Sequence, residues 1–172
     1  MLLKSLYMDK ATSGIGNTSV KIKYNNMIRE ISYKIWVGIN TRKIGVEFDE
    51  EKNTIIGVYN SWYQVFGVIR KLLEEVPVRR INDAEGLIIL ITKILNEGLR
   101  PRLTKWQAKY RFWYENKVRN NENESPQELQ RDYPEYNKLV KDLKYSNKIM
   151  IQFSKELQKQ FMKVTDNIII HR

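Results

Sequence analysis

The residues best suited to chemistry lie in one twenty-residue run, RPRLTKWQAKYRFWYENKVR, from Arg100 to Arg119, which holds seven basic side chains and one acidic one. Placed on a helix at about 100° per residue, Leu103, Trp106, Tyr110, Trp113 and Tyr114 cluster on one side. Lys105, Lys109 and Arg119 gather on another, with Arg102 at the boundary, and Phe112 falls among these cations, away from the apolar stripe. Cations interleaved with an exposed aromatic can hold phosphates and stack on bases. The same charge also attracts acidic proteins and anionic lipid. The plainer alternative is a solvated basic face whose Phe112 packs on a neighbouring loop. The candidate binding residues are Arg100, Arg102, Lys105, Lys109, Phe112 and Arg119.

Other chemistries find little purchase. The chain has no Cys and one His, His171 at the penultimate position, which removes thiol nucleophiles, disulfides, Cys-based zinc and the usual general base. Asp49, Glu50 and Glu51, and later Glu122 and Glu124, lack the loop spacing of an EF-hand and sit in polar turns where acids are ordinary. No metal and no cofactor is expected. Arg79 and Arg80 can extend the basic patch, but Glu74 and Glu75 are nearer partners, and pairing with them is the expectation. Tyr59, Trp62, Tyr63 and Phe66 can line a pocket, although aromatics at helical spacing more often build a core. No glycine-rich phosphate loop, nucleophile elbow or His/carboxylate pair is visible. A non-enzymatic protein is the expectation.

These side chains must be positioned by helices, for 42% hydrophobic residues with only four Pro and eight Gly among 172 leave too little turn punctuation for a sandwich or barrel. One domain suffices at this length. Residues 1–26, with the turn-like ATSGIGNTS, read as a loosely ordered, flexible N-terminal arm containing a short strand at Val20 to Tyr24. Met27 to Arg42 is ambiguous, since Ile31, Tyr33, Ile35, Val37 and Ile39 alternate as in a strand while Ile28, Ile31, Ile35 and Ile39 make a helical stripe. A helix is chosen, capped by Asn26, paired Glu30 to Lys34, and ending around Arg42, Lys43 and Gly45.

Residues 54–76 form a clear helix with Ile55, Tyr59, Trp62, Phe66, Ile69, Leu73 and Val76 on one face, stopped by Pro77. Asn82 and Glu85 resemble a capping box, and Leu87 to Ile91 suits a buried helix ending near Gly98. Pro101 sits where a new helix, 101–119, begins. Ser125, Pro126 and Glu128 have the spacing of a cap, a first-turn proline and its partner, so another segment starts there. In the last stretch Tyr136, Leu143, Met150, Leu157 and Val164 recur every seven residues, with Leu139, Val140, Phe153 and Phe161 beside them. That long helix packs on its own bundle, with homo-oligomerisation through 134–164 as the alternative, although Ser146 and Gln160 weaken the second seam position. The fold class is therefore all-α, a four- or five-helix antiparallel bundle over residues 27–172.

The formal charge of +10 is uneven. Residues 100–119 carry +6 of it, residues 27–99 are neutral, and 120–133 are acidic. The opening MLLKSLYMDK is too short an apolar run for a secretory signal, and nothing approaches the roughly 18 apolar residues of a membrane span. A cytoplasmic location is expected.

The run LNEGLRPRLTKWQAKYRFWYE, Leu95 to Glu115, together with YNSWY at Tyr59 to Tyr63, resembles segments of short, uncharacterised helical proteins encoded in bacterial antiviral-defence gene clusters. That resemblance implies a defence-associated role and transfers no catalytic residue. With it, the sequence points to an accessory or adaptor protein binding a macromolecular partner, a larger protein encoded in the same operon. The alternative is a nucleic-acid-binding module acting through the helix at 101–119.

Overall fold

The computed structural model describes residues 3–7, 19–23, 25–120 and 123–162. It is an all-α bundle. Four long helices form a ring in which each runs antiparallel to its neighbours: α1 (Asn26–Asn40), α2 (Ile55–Glu74), α4 (Arg100–Arg119) and α6 (Tyr136–Met162). Cross-helix contacts fix the directions. Lys34 of α1 reaches Glu75 just past α2, Asn60 of α2 meets Arg111 of α4, Arg102 of α4 covers Tyr145 of α6, and Asn40 of α1 bonds Ser154 of α6. The fifth long helix, α3 (Ile81–Lys93), leads into α4.

The ambiguous segment is a helix. Ile28, Ile31, Ile35 and Ile39 all bury, whereas Tyr33 of the alternating pattern stands 51% exposed, so the 3.6-residue period wins over the period of two. Its cap is Asn25 and not Asn26, because the Asn25 side-chain oxygen accepts the Ile28 amide at 3.0 Å. At the other end the helix stops at Thr41. Gly45 belongs to a tight turn where a Cβ would lie 2.4 Å from the Ile39 carbonyl oxygen, so only glycine fits.

On α2, capped by Thr54, the buried stripe is wider than expected. Val58, Val65 and Leu72 join Ile55, Tyr59, Trp62, Ile69 and Val76, since the helix touches both α1 and α4. The N-terminus of α2 gains a second support from afar. Gln130, fully buried, accepts the Ile55 amide at 2.9 Å and donates to the Asn53 carbonyl at 3.1 Å.

Three expectations between residues 77 and 101 need correction. Asn82 caps nothing, because a 3-10 turn at Val78–Arg80 runs straight into α3. Leu87, Leu90 and Ile91 bury, but Ile89 is 48% exposed, so α3 is a surface helix. The chain also does not break between α3 and α4. Residues Ile94–Leu99 stay helical as a π segment, which is the adjustment expected before Pro101, whose ring has no N–H for the Glu97 carbonyl and crowds it. Gly98 in this segment is buried, and Ser146 of α6 lies beneath it with its hydroxyl 3.5 Å from the Gly98 carbonyl.

Ser125 caps α5 (Pro126–Leu129) in a full capping box with Glu128, as the spacing predicts. In α6, Leu143, Met150 and Leu157 are buried with Leu139, Val140 and Phe153, and Phe161 packs edge-on against Tyr33 and Trp36. The sevenfold seam is thus spent inside this chain; Val164 lies outside the described residues. In the N-terminal arm, β1 (Leu3–Tyr7) and β2 (Ser19–Lys23) pair antiparallel with Leu3 opposite Lys23, and β2 lies along α3. Residues 8–18 and Tyr24 lie outside the described residues.

Candidate functional site

Helix α4 is anchored by its apolar side and open on the other. Leu103, Trp106 and Tyr110 bury. Tyr133 closes edge-on over Tyr110 and Trp113 at 5.2 and 5.1 Å between centroids. With that side fixed, Lys105, Lys109, Phe112, Asn116 and Arg119 are all exposed, and their spacing places them within an arc of about 80° on the outer face. Phe112 is 74% exposed. No loop among the described residues covers it, so the plainer reading of a packed aromatic does not hold for this side chain there.

The six candidate residues separate into two groups. Lys109 and Arg119 flank Phe112 and make no ion pair among the described residues. Lys105 shares the face but is tied down, its ammonium 2.8 Å from Asp142 of α6 and 4.3 Å from the Trp106 ring centroid. Arg102 leaves the face altogether: it donates to the Gly98 carbonyl at 3.0 Å and stacks 4.4 Å from the Tyr145 ring centroid. Arg100 turns the opposite way, over Phe66 of α2 at 5.5 Å. The basic helix is therefore less available than its net charge implies.

Asp142 organises the border between α4 and α6. It accepts from Lys105 and from the Trp106 indole N–H at 2.8 and 2.9 Å. Burial works against its ionisation, but these two donors outweigh burial and hold the carboxyl below its usual range. In the opposite sense, burial pushes the Tyr59 and Tyr110 phenols well above theirs, and both hydroxyls are buried without a hydrogen-bond partner among the described residues.

The pocket that sequence reasoning set below a core reading for the aromatics at 59–66 exists in part, as a groove between α2 and α4 whose α4 wall the sequence did not show. Tyr63, Phe66, Arg100, Leu103, Gln107 and Ala108 line a space of about 430 Å³. Tyr63 is 69% exposed, so the aromatic group at 59–66 splits: Tyr59 and Trp62 are core, Tyr63 is surface and Phe66 is half-buried. The available signal was angular, since Tyr63 lies about 100° round from Trp62. Ala108 stands one turn before Phe112, so the groove opens onto the exposed face.

The acidic turn at Asp49, Glu50 and Glu51 is taken up by cations. Glu50 binds Lys144 and accepts from the Tyr136 hydroxyl, Glu51 binds Arg131, and Asp49 binds Lys52 at 3.2 Å. The Lys144 contact, ahead of the cost of burial, holds Glu50 below its usual range. Glu122 and His171 lie outside the described residues, and among those described no group of three His, Cys, Asp or Glu could hold a metal. Arg80 pairs with Asp83 at 3.6 Å and not with Glu74 or Glu75, because the turn after Pro77 brings it to the first turn of α3; Glu75 is met instead by Lys34. No helix among the described residues is long and apolar enough to cross a membrane.

No family model, curated protein or solved structure matches this chain.

Proposed function

We propose that the protein is a non-enzymatic adaptor that binds a partner protein through the outer face of α4. The observation that carries this reading is Phe112, 74% exposed between Lys109 and Arg119 on a helix whose opposite side is locked into the core. A large aromatic held rigidly in water is the usual anchor of a protein interface. The two flanking cations suit an acidic rim on the partner, where they speed encounter and choose the partner more than they add affinity. The adjoining groove with Tyr63 gives the partner a second apolar foothold. Asp142, at the border of the face, is engaged by Lys105 and the Trp106 indole, which supports a binding role over acid–base chemistry there. The resemblance of Leu95 to Glu115 to defence-cluster proteins supports a partner encoded in the same operon.

A nucleic-acid-binding module is the second reading, favoured by the same exposed aromatic beside two cations that make no ion pair among the described residues. It ranks lower because Arg100, Arg102 and Lys105 are drawn into contacts with Phe66, Tyr145 and Asp142. A face that neutralises about two phosphates has a shallow salt dependence, near −2 in log K against log salt on duplex DNA. Co-purification from cells encoding the protein, before and after nuclease, separates the readings. The expected result is a discrete protein partner that survives nuclease and is lost with Phe112→Ala and with Lys109→Glu/Arg119→Glu. A partner lost to nuclease, with tight binding of labelled DNA or RNA at about 200 mM salt, overturns the adaptor reading.

A further inference from the structure

A second cleft, apart from the α4 face, lies where the loop after α1 packs on α6. It encloses about 610 Å³, within the roughly 300 to 1,000 Å³ of small-molecule sites. Phe48 and Glu47 form one wall, and Lys144, Lys148, Ile151 and Lys155 of α6 form the other. The two walls are clamped together by Asn147, which is 3% exposed. Its amide donates to the Ile44 and Val46 carbonyls at 2.7 and 2.8 Å, and its oxygen accepts the Phe48 amide at 3.1 Å. With every polar atom of this side chain satisfied between loop and helix, the cleft is preformed.

Its charge is unbalanced. Lys144, Lys148 and Lys155 fall within an arc of about 40° on α6. Lys144 is compensated by Glu50, itself steadied by Tyr136. Lys148 and Lys155 are exposed and make no ion pair among the described residues, and Glu47 across the cleft reaches neither. These two ammonium groups spring from backbone positions about 10.5 Å apart along the axis, and their flexible stems can converge on one ligand. A single carboxylate satisfies one of them. An oligophosphate, with charges spread over several ångströms, satisfies both, and lysine serves phosphate well as a point charge. Ile151 and the rim of Phe48 offer apolar surface for an organic portion beside the anion.

We infer that this cleft binds a small molecule bearing an oligophosphate group. Calorimetric titration of the full chain at about 50 mM salt, where surface charge is only partly screened, tests it with two probes, inorganic tripolyphosphate and adenosine triphosphate. The expected result is saturable one-site binding, weakened at least about tenfold, or about 1.4 kcal/mol, by Lys148→Glu/Lys155→Glu with an unchanged circular dichroism spectrum. The α4 variant Lys109→Glu/Arg119→Glu should bind as the wild type does. Cleft-dependent binding of tripolyphosphate alone identifies a bare oligophosphate as the ligand, and of the nucleotide alone a nucleotide; either supports the assignment. Absence of saturable binding of both probes, or equal loss in the α4 variant, overturns it, the latter because it reports net charge instead of this cleft.

Discussion

Asp142 joins two helices through one carboxylate, and its acidity records that. Since its folded pKa lies below the ordinary value of 3.8, its contribution is complete above that value and disappears as pH falls through the folded pKa. Stability measured in urea from pH 7 downward should therefore decline through the acid range. Asp142→Asn should be less stable at pH 7 and show a flatter acid limb; parallel curves for the two proteins would remove Asp142 from the account. Its neighbour Trp106, 1% exposed, should cost about 3 to 5 kcal/mol when changed to Ala, as large-to-small aromatic replacements in cores do. Phe112→Ala should move stability by less than about 0.5 kcal/mol, which a melting curve checks, while abolishing the partner complex. Both aromatics were legible from spacing alone, because one falls on the apolar stripe of α4 and the other off it. The fates of Arg100, Arg102 and Lys105 were not legible. Phe66, Tyr145 and Asp142 are distant in sequence, and a basic residue reads the same whether it is solvated or folded onto a ring.

At the scale of elements, periodicity and capping chemistry carried the most information. The isoleucine stripe of α1 and the capping box at Ser125 follow from local spacing. Ser125→Ala should destabilise by about 0.5 to 2 kcal/mol through loss of that cap, measurable by chemical denaturation. What local spacing could not show is support from elsewhere in the chain. Gln130, a polar residue in a short turn, is fully buried because it caps α2 at Ile55 and Asn53. Gln130→Leu should cost more than Ser125→Ala, about 2 kcal/mol or more, because it strands the buried Ile55 amide and the part-buried Asn53 carbonyl; an equal or smaller loss would show that water reaches both groups. The passage from α3 to α4 was misread for a related reason. Gly98 and Pro101 together signal a break, yet packing of Ser146 beneath Gly98 keeps the helix going and moves the disturbance into a π segment.

For the whole molecule, the antiparallel ring of α1, α2, α4 and α6 leaves each helix an outer side, and the one on α4 differs by what it displays. Each of these helices packs on two neighbours, and the sevenfold seam of α6 is consumed against α1 and the loop after it. Among the described residues nothing covers the outer side of α4, and there the chain places Phe112 with Lys109 and Arg119. The most direct test puts a photo-crosslinking amino acid at Asn116, on that face, and separately at Glu85, an exposed position on α3, in cells encoding the protein. The predicted result is a single nuclease-resistant protein adduct from position 116, absent from position 85 and lost when Lys109→Glu/Arg119→Glu is added. An adduct to nucleic acid at position 116, or the same adducts from both positions, would contradict the assignment of α4 as a protein-binding face.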